Sequence, residues 1–337
     1  MEINLELFNQ QRRPRFGTAN PERMNLSFWE WMIRGGQDVS EVRNDPESGG
    51  FGPCHARDVF KASPSRDEGP IWTFSRYGAT RTVLPDGRSV CVGGEHEDFY
   101  DPDFCIYNDV VVFTPSNQVE IYGYPAEIFP PTDFHSATLV NNRLFVIGSL
   151  GYQNARRPGE TPVHIVDLAD YEISRMRISG EAPGWIYEHE AGFDQDGLIT
   201  IRGGRVIREH NGKQVYWRNF DEYSLDVSSG VWRRDTNRRW HQFKVRQEAG
   251  KAFILEQHPS IEALLPEGAT LLAKSSLNPE FTRIAVDGIP LSFTVGIGAI
   301  EIIVEEDAPE EMLRRITEQI RAKTEAAVHR RCTVEKS

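Results

Sequence analysis

Cysteine, long apolar runs and basic charge are all scarce in this 337-residue chain. The four cysteines (Cys54, Cys91, Cys105, Cys332) show no C-x-x-C spacing. Their number does not suggest a disulfide scaffold, and reduced thiols in a cytoplasmic protein are the simplest reading. No apolar run reaches the ~18 residues that a membrane helix needs. The opening MEINLELFNQQRRPRF carries charge where a signal peptide needs an apolar stretch, so neither export nor a membrane partner is expected. Lys and Arg number 38 against 50 Asp and Glu, a formal net charge of -12. The sequence pI is near 5.3. A nucleic-acid binder needs a basic face to displace counterions, and this chain has no such excess. Catalytic signatures are missing too: there is no GxSxG and no HExxH. Arg202–Arg205 (RGGR) and Gly148–Gly151 (GSLG) lack the lysine and the following helix of a phosphate loop.

What the chain does have is a phrase written three times. Tyr77–Gly94 (YGATRTVLPDGRSVCVGG), Phe134–Gly148 (FHSATLVNNRLFVIG) and Glu188–Gly204 (EHEAGFDQDGLITIRGG) each join two apolar runs through a polar turn and end on glycine. The turns are Asp86-Gly87, Asn141-Asn142 and Asp196-Gly197, each preceded by an alanine (Ala79, Ala137, Ala191). After each phrase comes a run rich in β-branched or aromatic residues, Asn108–Phe113, Pro162–Leu168 and Phe220–Val227. A fourth short run closes each copy, at Val119–Tyr122, Glu172–Met176 and Gly230–Arg233. Four antiparallel strands repeated at roughly fifty residues is the arithmetic of a propeller blade.

These features resemble kelch repeats: Gly93-Gly94 and Gly203-Gly204 close the second strand, and Trp232 lies near the end of the third copy. The resemblance covers about 75–236 and implies a mainly β chain built as a kelch-type β-propeller of four-stranded blades. It does not settle function, since one fold carries many sites.

Three organisational units are expected: a lead-in over 1–70, a propeller over 71–258 and a small C-terminal α/β module over 259–337. Within the lead-in, Ser27 caps a short helix over Phe28–Arg34 that Gly35-Gly36 stops, and its aromatic residues should pack on the propeller. Residues 46–70 read as a loop. Three blades are fewer than a ring needs. Arg239–Gln257 is the candidate for part of a fourth, and a second copy of the chain, as a homo-oligomer, is another way to close the ring. In the last module, Phe281–Val286 and Ile289–Val295 flank Asp287-Gly288 as a hairpin, Ala299–Val304 is a strand, and a helix opens at Asp307 and Pro309.

Alternating strand directions put the long second-to-third and fourth-to-first loops on one face, the place for binding residues. Its acidic stretch Glu95–Asp103 (EHEDFYDPD) offers Glu95, His96, Asp98, Asp101 and Asp103 as partner or cation ligands, or simply as a solvated loop. Phe129, Tyr152, Arg156 and Trp185 are the aromatic and basic candidates on the same face. His135 and His189 stand two residues before the repeated alanine, with Tyr77 in that place in the first copy. They are the acid–base candidates at the channel mouth, or hydrogen-bonding residues internal to the repeats. No cofactor is implied. If a divalent metal binds, His96, Asp133, His135 and His189 are its candidate ligands.

The function expected from this is binding of a protein or small-molecule ligand through the long-loop face, without catalysis. The alternative is an enzyme on a small polar or carbohydrate substrate, metal-assisted or not, with its site at the channel mouth.

Overall fold

The computed structural model describes residues 3–35, 69–96, 98–247, 261–275, 280–295 and 299–336. The chain divides into two compact units, Met1–Asp235 and Thr236–Ser337. Both are mainly β.

The first unit starts with α1 (Leu5–Gln11), β1 (Glu22–Arg23) and α2 (Ser27–Gly35). Three four-stranded antiparallel sheets follow. The first comprises β2 (Thr80–Val83) and β3 (Ser89–Val92), then, beyond the short pair β4 (Glu95–His96) and β5 (Cys105–Ile106), β6 (Val110–Phe113) and β7 (Val119–Gly123). The second comprises β8 (Ser136–Val140), β9 (Arg143–Ile147), β10 (Val163–Asp167) and β11 (Ile173–Arg175). After β12 (Ser179–Gly180) and β13 (Trp185–Tyr187), the third is built from β14 (Glu190–Phe193), β15 (Leu198–Arg202), β18 (Tyr223–Asp226) and β19 (Val231–Arg234), with β16 (Arg205–His210) and β17 (Lys213–Arg218) between. All three expected turns join antiparallel hairpins, and Gly87, Asn141 and Gly197 adopt the positive φ that such tight turns require. β1 pairs with β7 and β12 with β19, so two sheets gain a fifth strand. No sheet among the described residues closes on itself.

Residue alternation explains the stacking, because successive side chains of a strand point to opposite faces. In β9, Leu144 and Val146 join the core shared with the first sheet, whose members include Val90, Val92, Val110 and Val112. Phe145 and Ile147 turn the other way, into the core with Ile199, Ile201, Leu225 and Trp232 of the third sheet. The middle sheet is therefore apolar on both faces. The first sheet also has a second apolar face, Cys91, Val111, Phe113, Val119 and Ile121, and the lead-in covers it with Phe8, Phe28, Trp29, Met32 and Ile33, joined by Trp72 from just beyond it. Trp29 stacks on Trp72 at 4.7 Å. The buried Arg76 guanidinium pairs with Asp109 and lies over the Tyr107 ring, and the indole N–H of Trp72 donates to the same Asp109. The outward face of the third sheet is different: Thr200, Arg202, Ser224, Asp226, Val231 and Arg233 make it largely polar. A polar outer face ends a stack.

The sheets are also joined at one rim by main chain. Gly78, Phe134 and Glu188 all have positive φ. The Phe134 N–H donates to the Gly78 carbonyl and the Glu188 N–H to the Phe134 carbonyl, both at 2.8 Å. Beside this chain, the Gly94 N–H donates to Thr132 and the Ser149 N–H to Ile186. A Cβ added at Gly93 or Gly148 would overlap the carbonyl oxygen of Thr132 or Ile186, respectively.

The second unit is one six-stranded antiparallel sheet in the order β21-β22-β23-β24-β20-β25, from β20 (His241–Gln247), β21 (Thr270–Ser275), β22 (Glu280–Val286), β23 (Ile289–Val295), β24 (Ile300–Val304) and β25 (Cys332–Lys336). Asp287 and Gly288 both have positive φ at the β22–β23 turn, as a type I′ hairpin requires. α3 (Ile261–Leu264) lies in the chain between β20 and β21, and α4 (Glu310–Val328) buries Leu313, Ile316 and Ile320 against the sheet. One expectation is corrected here. The described part of Arg239–Gln257 is no fourth blade, because β20 pairs with β24 and β25, where Phe243 and Val245 complete the core of this unit. The expected loop over 46–70 lies outside the described residues except for 69–70, and so does 248–257.

Gly148→Ala should test the rim. A side chain there meets both the positive φ and the Ile186 carbonyl, so a loss of about 1–3 kcal/mol is expected. A urea melt of the two proteins reads it.

Candidate functional site

The long-loop face is built mostly of ordered connections. Tyr152 ties the first and second sheets: its hydroxyl accepts the Ile106 N–H at 2.8 Å, and its ring meets Phe104 edge-on at 5.7 Å. Arg156 ties the second and third. Its guanidinium donates to the Leu150 and Gly151 carbonyls, to the Tyr216 hydroxyl at 2.7 Å and to Gln214 at 3.1 Å. The long second-to-third connection of the third copy, Arg205–Arg218, is itself a hairpin, β16–β17, which β13 extends to three strands. Asn211 and Gly212 supply positive φ at its tip. That Asn-Gly between two alternating runs was the signal that could have revealed it.

Several candidates are placed in the core rather than on the face. Phe129 is fully buried, edge-on to Tyr124 and His164, because the Asn108 amide draws its carbonyl inward. Trp185 is only 8% exposed, since it packs with Tyr187 and Ile207 and donates its indole N–H to Leu150. His135 and His189 are buried repeat residues: His135 Nε2 lies 2.9 Å from the Thr80 hydroxyl and His189 Nε2 lies 2.9 Å from the Ser136 hydroxyl. Each links one sheet to the first residue of the preceding sheet's first strand, Thr80 of β2 or Ser136 of β8. Tyr77 is not their counterpart. Gly78 occupies the place of Phe134 and Glu188 in the rim chain, so Ala79 takes the histidine position, while Tyr77 pairs with Glu95 through main chain and stays 60% exposed. Among the described residues, no group of three or more His, Cys, Asp or Glu side chains is gathered to hold a metal ion, around His96, Asp133, His135 and His189 or elsewhere. His96 contacts the Ser75 carbonyl instead.

Two features remain on the face. The first is the tip of the acidic loop. Phe99 and Tyr100 are 83% and 69% exposed, edge-to-face at 5.4 Å. The Tyr100 hydroxyl donates to Asp98, and the Asp101 carboxylate accepts the Asp103 N–H, which turns Asp103 inward and leaves the aromatic pair outward. The β4–β5 pair forms the stem of this tip.

The second feature is a carboxyl pair. Asp133 lies on the connection into β8, fully buried. Its Oδ1 accepts the Gly151 N–H at 2.5 Å and the Ser149 hydroxyl at 3.2 Å, while no N–H or hydroxyl donor reaches Oδ2. The half-buried Glu95 carboxyl hydrogen-bonds this carboxylate. Burial, then the Asp133 charge and hydrogen bond, then Asp98, push Glu95 up to about 8, with Arg156 opposing. Burial also pushes Asp133 up, against the Gly151, Glu95 and Ser149 hydrogen bonds. Two carboxylates in contact cannot both ionise cheaply, so Glu95 holds the proton near neutral pH.

Comparison with known proteins adds little. No family model matches the chain, and no curated protein matches it. Among solved structures, one described as "Structure of YjhT" aligns with 67% of this chain and 68% of its own, at 13% identity and a TM-score of 0.38. A likeness that loose carries no argument. Among the described residues, no helix is long and apolar enough to cross a membrane.

The histidines predict acid sensitivity. Burial lowers His135 to about 3, aided by His189 and His164, and lowers His164 and His189 to about 4. All three are held neutral when folded and take up protons near pH 6.5 when unfolded. Their contribution is therefore complete above pH 6.5 and declines as pH falls toward 4, by about 1.4 kcal/mol per pH unit for each histidine. Urea melts across that window should show the decline, and it should be shallower in His164→Gln.

Proposed function

We propose that residues 69–235 form a kelch-like, propeller-type array of three blades that binds a protein partner through its long-loop face. The observation that carries this reading is the exposed Phe99–Tyr100 pair, set between Asp98 and Asp101 on a β-paired stem. Large aromatic groups held in water without cover are interface anchors, and their side-chain order lowers the entropy lost on binding. The carboxylates beside them, in a chain of net charge -12, select a basic partner surface. Support also comes from what surrounds the tip, since Tyr152 and the main-chain pairing of Glu95 with both Tyr77 and Ile106 keep its base in place. A cytoplasmic setting belongs to the same proposal.

One observation favours the enzyme reading as an alternative: Glu95 keeps a neutral carboxyl near pH 7, as a general acid does. Turnover of a small polar substrate that Glu95→Gln abolishes would favour that reading over binding.

The binding reading predicts that wild-type protein used as bait retains a partner that the Phe99→Ala/Tyr100→Ala variant loses, with affinity weakened roughly 30-fold or more. Capture should also weaken with added salt. Equal capture by the two proteins, with matching melts, overturns it.

A further inference from the structure

We propose that the Glu95–Asp133 carboxyl pair is an anchor site for a cationic side chain, an arginine guanidinium being the best match. The inference rests on the long-loop face being the binding face. Its starting point is Asp133, whose carboxylate is completely buried with one oxygen, Oδ2, reached by no N–H or hydroxyl donor. A buried carboxylate needs compensation at each oxygen. Oδ1 has it from Gly151 and Ser149, Oδ2 has none from an N–H or hydroxyl, and the Glu95 carboxyl is the neighbouring group.

The charges around the pair decide which ligand suits it. Asp98 acts on Glu95 from the acidic loop itself, Asp133 from the connection into β8, and Arg156 from the loop after β9. The Tyr152 phenol and the Cys105 thiol lie nearby, and burial pushes both up, Cys105 to about 11, so both stay neutral. Three carboxyl groups thus face one guanidinium. Arg156 is committed to the Leu150 and Gly151 carbonyls, Tyr216 and Gln214, which leaves it little to give the pair. In the free protein burial and the Asp133 charge keep the proton on Glu95. A cation placed there would take the place of that proton, with the Glu95 proton passing to solvent and both carboxylates accepting from the incoming donors. A planar guanidinium presents parallel N–H groups to paired carboxylate oxygens, which an ammonium cannot. Glu95, half-exposed, forms the accessible side of the site, and Asp133 its floor.

The probe is N-acetyl-arginine amide, with N-acetyl-lysine amide and N-acetyl-norleucine amide for comparison. The reporter is the Gly151 amide resonance, because its N–H is bonded to Asp133. Arginine amide should shift this resonance saturably, and norleucine amide should not. Below pH 8 the ligand must displace the Glu95 proton, so affinity should rise up to tenfold per pH unit and level off above it. Glu95→Gln, which keeps a neutral hydrogen-bond donor toward Asp133, should weaken binding at least tenfold and remove the pH dependence. A stronger response to lysine amide than to arginine amide would overturn the guanidinium preference. No saturable shift at any pH, or an unchanged response in Glu95→Gln, overturns the anchor itself. Phe99→Ala/Tyr100→Ala should still bind arginine amide. If that variant also retains the partner, the aromatic tip is refuted and the anchor is not. If the variant loses the partner but Gly151 never responds, the anchor alone fails.

Discussion

Strands buried on both faces set the terms for the first unit of this protein. A sheet with one apolar side needs one cover, but β9 and β6 are apolar on both, so each sheet must lie between two neighbours. The middle sheet has the first and third for that purpose. The first sheet has no preceding sheet among the described residues, and the lead-in with Trp72 beside it supplies the missing cover: Phe8, Phe28, Trp29 and Trp72 pack with Val111 and Ile121. Each such aromatic group contributes roughly 1.5–3 kcal/mol by leaving water. The third sheet needs no such cover, having polar residues outward.

Stacking by apolar faces alone would let the sheets slide. The rim prevents this through direction-dependent contacts: the main-chain bonds linking Gly78, Phe134 and Glu188, and the histidine–hydroxyl contacts of His135 and His189. Neutral imidazoles serve well there, because burial penalises the charged form. The same histidines are thereby unsuited to acid–base work near neutral pH. The carboxyl pair and the exposed tip lie outside the strands of the three sheets, on β4 and on the connections around it.

Those connections are held by groups whose partners lie far along the chain. Tyr152 reaches Ile106, Arg156 reaches Tyr216, and Asp133 gathers Ser149, Gly151 and Glu95. A face so cross-linked presents its protruding part, Phe99 and Tyr100, with little reorganisation.

Local chemistry was legible in the sequence. The Asp-Gly and Asn-Asn turns, the alternation of the paired runs, the Ser27–Gly35 helix and the helix after Pro309 depend on neighbours a few residues away, and each formed where its pattern placed it. The mainly β composition and the antiparallel four-strand runs followed from the same pattern. Tertiary structure alone decided what depends on distant partners. His241–Gln247 has a strand's composition in any context, and only the availability of β24 and β25 assigned it to the second unit. Phe129 and Trp185 are aromatic residues in loops, and only their neighbours showed that both are covered. Asp133 read in the sequence only as a candidate metal ligand, and folding buried it beside Glu95. Burial and pairing are sums over residues remote in sequence, so composition and spacing carry no record of them.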